Sequence, residues 1–144
     1  MTFKVLAMVA VVAALSGCAV SGTNYAAMTS AIPALKADHG RVVFYRVAGY
    51  KGAVIRPSIT LDGAAVGQSK PGGFFYVDTK PGSHEARISQ EFNHKLTVVV
   101  ASGEVKYVRT SITAGLGFPV VPELVSADVA KKELGELSYT GNPQ

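Results

Sequence analysis

The chain of 144 residues has one cysteine, Cys18, and that scarcity excludes several chemistries at once. A single thiol cannot build a disulfide framework, a cysteine zinc cluster or a Cys-x-x-Cys redox pair. Long apolar runs are missing too. The most hydrophobic stretch, Val5 to Leu15, reaches as a helix only about half of a ~30 Å hydrocarbon core, which excludes a spanning anchor. Charged residues make up only 17% of the chain, and the excess of cations that gives a net charge of +4 is scattered without a run. Nucleic-acid binding is therefore not expected. No Gly-x-Ser-x-Gly elbow, His-Glu-x-x-His helix, phosphate loop or catalytic cysteine occurs, so the chain is expected to be non-enzymatic, with no cofactor and no metal.

What is present begins with Leu15-Ser16-Gly17-Cys18, which follows a one-lysine segment ending at Lys4 and the apolar run. This order of basic, apolar and small residues is that of a secretory signal. An ordinary secretory signal that happens to carry a cysteine is the alternative. The small residues before the only cysteine favour a lipoprotein signal, with Cys18 as the lipidation site. Resemblance to such signals implies a membrane anchor made of acyl chains (palmitate and its relatives) on Cys18, which two or three chains make almost permanent. It also implies that Ala19, where an aspartate would retain the protein in the inner membrane, sorts it to the outer membrane, periplasmic face.

Four segments follow from this reading: a signal peptide over 1–17, a lipid-anchored tether over 18–38, a β-domain over 39–137 and a flexible tail over 138–144. Removing 1–17 takes away Lys4 alone among the charged residues, so the net charge becomes about +3 and one domain with its own core remains. The tether is rich in Ala, Ser, Thr and Gly and would reach about 65 Å if fully extended. Within it, the spacing of Tyr25, Met28, Ile32 and Leu35 predicts a short helix that packs onto the domain.

From Gly40 onward β-branched and aromatic runs alternate with turn signals. Strands are predicted over Arg41–Val47, Pro57–Leu61, Ala65–Ser69, Gly73–Asp78, His84–Glu91, Lys95–Ala101 and Glu104–Thr113. Turns fall at Asp62-Gly63, Pro81-Gly82 and Ser102-Gly103. The expected fold is mainly β, an antiparallel β-sandwich or small open barrel of about seven strands. Leu96, Val98 and Val100 define an inward face for their strand, whereas in Glu104–Thr113 apolar residues fall on both faces and neither is singled out. Phe118 to Pro122 should run extended. Ser126 then caps a short C-terminal helix in which Val129, Leu134 and Leu137 share a face.

The runs Gly40 to Arg46, Leu61-Asp62-Gly63 with Val66-Gly67, Phe75 to Val77 and Pro81-Gly82-Ser83-His84 together resemble a family of bacterial lipoproteins. That family is known as a domain of unknown function, numbered about 2846, and the resemblance covers Gly40 to Leu137. The same progression is similar to the small β-sandwich envelope modules named for a Pro-Glu-Gly-Ala motif. This chain lacks that motif, so only their architecture is implied. Neither resemblance brings an activity.

Candidate binding residues are therefore read one by one. Arg41 and Arg46 flank Phe44-Tyr45, and Arg109 follows Tyr107. Guanidinium groups beside aromatics can hold a carboxylate, a phosphate or a sugar, but pairing with Asp or Glu over apolar surface is the commoner use. Tyr50 and Lys51 lie in a loop over Ala48–Arg56 that can meet a partner. His84 at a strand start is read first as a turn residue. His39 and His94 lie in predicted loops without carboxylates at ligand spacing. The leading expectation is a non-enzymatic binding or structural module for another envelope component, either a protein or peptidoglycan. The competing one is an envelope hydrolase or transferase using a His/Asp/Arg site around His84 and Asp78.

Overall fold

A computed structural model describes residues 22–141. In chain order it contains α1 (Tyr25–Met28), β1 (Gly40–Arg46), β2 (Ser58–Leu61), β3 (Ala64–Gln68), β4 (Gly73–Thr79) and β5 (Gly82–Ser89). These are followed by β6 (His94–Val100), β7 (Val105–Ile112), β8 (Val120–Val125), α2 (Ala127–Leu134) and β9 (Ser138–Tyr139). All seven predicted strands form, with ends displaced by no more than two residues. Cys18 and Ala19 lie outside the described residues.

The strands make two sheets packed face to face, ordered β8-β7-β1-β4-β9 and β3-β2-β5-β6. The described residues form an open sandwich and not a closed barrel. Two of the strands were not predicted. β8 continues the expected extended run to Val125 and pairs with β7, placing Pro122 opposite Thr110. A proline is tolerated there because β8 is an edge strand and its missing N–H would face no neighbour. β9 pairs with β4, so Ser138 and Tyr139 are held instead of lying in a loose tail. The cause is Tyr139, whose ring packs on Phe74 and Tyr76 at centroid distances of 5.5 and 5.7 Å. The sandwich is also not wholly antiparallel, since β1 pairs with β7 and β4 with β9 in parallel.

Asp62 and Gly63 adopt φ of 51° and 82°, the pair of positive values that a tight two-residue hairpin between twisted strands requires. Ser126 caps α2, its Oγ accepting from the Val129 N–H. The buried stripe of α2 is Ala130 and Leu134, followed by Leu137 beyond the helix. Val129, expected on that face, is instead exposed. The methyl group of Ala130 lets the helix backbone approach Tyr45 and Tyr107 of the five-stranded sheet, within the same packed cluster.

Two hydrophobic layers result. Between the sheets lie Val42, Phe44, Ile59, Phe75, Ile88, Val98 and Val108, with Phe44 and Phe75 stacked at 5.2 Å. On the outer side of the five-stranded sheet, Val43, Tyr45, Phe74 and Tyr107 pack beneath α2 and Leu137. The segment before β1 joins this second layer. The Tyr25 N–H donates to the Leu137 carbonyl at 2.8 Å, the Tyr139 N–H donates to the Thr23 carbonyl at 2.8 Å, and the Tyr25 ring meets Phe74 edge-on at 5.1 Å. From Gly22 onward the predicted tether is thus docked on the domain instead of standing free, and its helix is a single turn.

Candidate functional site

The outer face of the five-stranded sheet is where the chain gathers aromatic groups with polar ends. Strand alternation sends Val43 and Tyr45 of β1, Phe74 and Tyr76 of β4, and Tyr107 of β7 outward. Tyr25 and Tyr139 come in from the chain's flanks. Five of the six tyrosines therefore lie on this one side.

α2 covers only part of it. Between the segment Tyr25–Leu35 and the sheet a groove of about 340 Å³ remains, floored by Val43 and Phe74 and walled by Tyr25, Tyr76, Tyr107 and Arg41. That volume is at the lower end of the range for small-ligand sites. Apolar floor and phenolic walls can stack on a ring and hydrogen-bond its substituents, the dual capacity that tyrosine supplies.

Arg41 is fixed on the groove wall. Its Nε donates to Asp78 Oδ1 at 2.6 Å and a terminal nitrogen donates to Oδ2 at 2.9 Å, while its guanidinium sits 4.4 Å from the Tyr76 ring centroid. The hydrogen bond to Asp78 raises the Arg41 pKa against the opposing effect of burial. This cation is therefore permanent, and its inner edge is already occupied.

The other candidate residues do not converge on the groove. Tyr45 lies beneath α2 and donates to Glu133 Oε2 at 2.6 Å; burial, then this bond, raises the pKa of its hydroxyl. Arg109 faces the same side and donates to Glu123 and Glu133 at 2.9 and 2.6 Å. Arg46, five positions from Arg41, points to the opposite face of β1. There it is buried at the end of the sandwich and donates to the carbonyls of Ile55, Gly52 and Ser69. Burial lowers its pKa. Tyr50 and Lys51 stand on the exposed loop above it, beside a shallow cleft bounded by Ser111 and Ile112.

His84 lies at the other end of the molecule. Its Nδ1 donates to Asp62 Oδ2 at 2.6 Å and its Nε2 to the Lys80 carbonyl at 2.7 Å. Both ring nitrogens face acceptors, and only the protonated imidazole satisfies both. Asp62 also accepts from the Glu85 N–H at 2.8 Å, so the trio ties two turns together. Asp78, which was paired with His84 in the enzyme reading, belongs to Arg41 instead. His39 bonds the Ala37 carbonyl through Nδ1 at 2.9 Å. His94 begins β6 at the opposite end and is not in a loop. Among the described residues no three His, Cys, Asp or Glu side chains come together as a metal site.

The family model described as protein of unknown function (DUF2846) matches residues 36–121. The chain belongs to this family. No curated protein and no solved structure matches it. The DUF2846 match covers β1 to β7 and the start of β8, so it includes the whole four-stranded sheet, the central strands of the five-stranded sheet and the groove's floor. The wall made by Tyr25–Leu35, and the helix α2 beside it, lie outside the match. Nothing in the sequence order announced the groove, because its tyrosines, Tyr25, Tyr76 and Tyr107, are scattered over some eighty positions. The readable signal was strand parity: Tyr76 and Tyr107 each occupy the outward phase of a strand, as does Tyr45 beneath α2.

Proposed function

We propose that this DUF2846 protein is a lipid-anchored envelope protein. Acyl chains on Cys18 hold it to the periplasmic face of an outer membrane, and its tyrosine groove binds another envelope component, a protein or peptidoglycan, without chemical conversion. The groove carries this reading. It is an open, ring-sized recess built from aromatic walls and a fixed cation, on the side of the domain where the chain from Cys18 enters. Disaccharide rings and aromatic or proline side chains of a peptide both suit such walls. The lipoprotein-type run ending at Cys18 supports the location. The engagement of Arg41, Arg109 and His84 with internal carboxylates supports binding over catalysis.

The test is site-directed photo-crosslinking in intact cells. A photoreactive residue replacing Thr29, exposed at the groove's rim, is expected to capture a discrete envelope protein or muropeptide. The same residue at Thr97, on the exposed face of β6, is expected to capture little. Equal capture from both positions would refute the groove, and acyl labelling that survives Cys18→Ser would refute the anchor.

A further inference from the structure

The two ends of the sandwich differ sharply in what they expose. Arg46 pairs opposite Gly73, Ser58 opposite Ser89, and β1 runs parallel to β7. The connections over 47–57, 69–72, 90–93 and 113–119 are thereby brought to one end. Val120 donates its N–H to the Gln90 side chain at 2.7 Å, tying two of these connections together. A Cβ on Gly52, whose φ is +62°, would meet Ile112 at 2.7 Å, so the first connection is seated against the end of β7.

On this end, large apolar side chains stand out into solvent. Tyr50 is 86% exposed, Val54 92% and Leu116 93%, and Phe92 and Phe118 are more than half exposed. At the opposite end, around His39, Asp62-Gly63, Pro81 and Gly103, the exposed large apolar groups among the described residues are two strand valines, Val99 at 60% and Val105 at 37%, with no aromatic or leucyl tip. Apolar tips on separate loops are costly to leave in water, and contiguous sets of them mark contact surfaces. Shallow clefts separate the tips, one beside Tyr50 and one between Phe92 and Leu116, and a deformable layer can fill such gaps.

The charge on these connections has one prevailing sign. They carry Lys51, Arg56 and Lys70 against Glu91 alone. Beneath them lies the Arg46 guanidinium, which donates only to carbonyls and has no carboxylate partner among the described residues. Apolar and tyrosyl tips ringed by lysine and arginine form the pattern of an interfacial membrane contact. The tips enter the boundary of the acyl region, and the cations meet anionic head groups.

The chain's entry point selects the membrane as the occupant. Gly22 lies against the backbone of Tyr139, which pairs with Phe74, the second residue of β4 counted from this end. Cys18 is four residues upstream of Gly22, a reach of about 14 Å when fully extended. With the rest of the tether docked, so short a leash holds the domain against the leaflet. We infer that the loop end of the sandwich, with Tyr50, Val54, Phe92, Leu116 and Phe118 as its inserted tips, seats on the anionic head-group layer of the bilayer that holds Cys18. This rests on the anchor proposed above. It also leaves the groove, on the outer face of the five-stranded sheet, open beside the membrane.

The sequence contains no tryptophan, so Leu116→Trp introduces a single fluorescent reporter at a tip. Full-length protein purified from membranes is reconstituted in vesicles of phosphatidylethanolamine and phosphatidylglycerol. The reporter is expected to shift to the blue and to lose about half its emission to brominated acyl chains, as interfacial burial of a few ångströms requires. Thr97→Trp, on the exposed face of β6, is expected to do neither. Identical behaviour of the two reporters overturns the inference. A blue shift seen with envelope proteins but not with lipid alone also overturns it and assigns the tips to a protein partner. Mass spectrometry of the Cys18 peptide tests the anchor separately. If Cys18 is unmodified, the anchor reading fails, and quenching in the non-acylated chain mixed with the same vesicles still decides the contact: quenching sustains it and its absence overturns it.

Discussion

The five-stranded and four-stranded sheets share a core yet use their outer faces in opposite ways. In the four-stranded sheet the outward positions of β5 and β6 carry Glu85, Arg87, Lys95, Thr97 and Val99, all wet or partly wet. In the five-stranded sheet the outward positions of β1 are as buried as the inward ones, so that every residue of Gly40–Arg46 is buried. A strand covered on one side must alternate, and one covered on both sides need not. The candidate site falls on one side of the same line. The solvated sheet is a support, and the doubly covered one carries the groove, the second apolar layer and the docked N-terminal segment.

The largest effect is expected where the two sheets meet. Phe44 is fully buried and stacked on Phe75 between them. Phe44→Ala removes contacts from both sheets and should cost about 3–5 kcal/mol, enough to unfold most of a small domain. Urea unfolding followed by circular dichroism measures it. A loss below about 1 kcal/mol would show that the sheets do not depend on a common core.

The second layer offers a sharper test. Leu134 is fully buried under α2, and Leu134→Ala should cost about 2–4 kcal/mol. Its effect should be local, because α2 and the Tyr25–Met28 turn contact only the outer face. Hydrogen exchange should quicken in α2, in Tyr25 and in β9, while amides of β5 and β6 keep their protection. Uniform acceleration across both sheets would show the outer layer to be integral to the core.

The same contrast explains what was legible in the sequence. Leu96, Val98 and Val100 pointed inward as read, because their strand has one wet face. β7 could not be assigned a buried face because it has two: Val108 and Thr110 face the sandwich core, and Tyr107 faces α2. The hairpin at Asp62-Gly63 was readable because positive φ selects those residues locally. The strand Ser138–Tyr139 was not, since two residues carry no period and their pairing depends on Phe74, more than sixty positions away. Arg41 and Arg109 pair with acids as expected, but the partners Asp78 and Glu133 were fixed only by the register of β1 with β4 and the docking of α2, and Arg46 departs from the expectation by donating to carbonyls alone. The groove was invisible for the same reason. A recess between a docked flank and a sheet has no spacing in the sequence.

The smallest effect lies at the rim of the solvated sheet, where His84 and Asp62 hold two turns together. Burial works to lower the His84 pKa, but the Asp62 carboxylate and the Lys80 carbonyl outweigh it and the value rises above 6.5. The His84 hydrogen bond holds Asp62 below its ordinary 3.8. The folded chain thus keeps the His84 proton to higher pH than the unfolded chain does. Its contribution is whole below about pH 6.5 and fades as pH climbs through the raised value. Asp62 acts in the other direction: its contribution is whole above about pH 4 and fades as pH falls through the lowered value. Between those limits the pair stabilises most. Because Asp62 is half exposed, the pair should contribute less than about 1 kcal/mol. Urea midpoints of the unmodified protein should therefore drop slightly from pH 6 to pH 8, and those of His84→Gln should lack that portion of the drop. Parallel pH dependences in the two proteins would mean that the turn is held by Asp62 and the Glu85 amide alone, and that the supporting sheet carries no titrating tie at its rim.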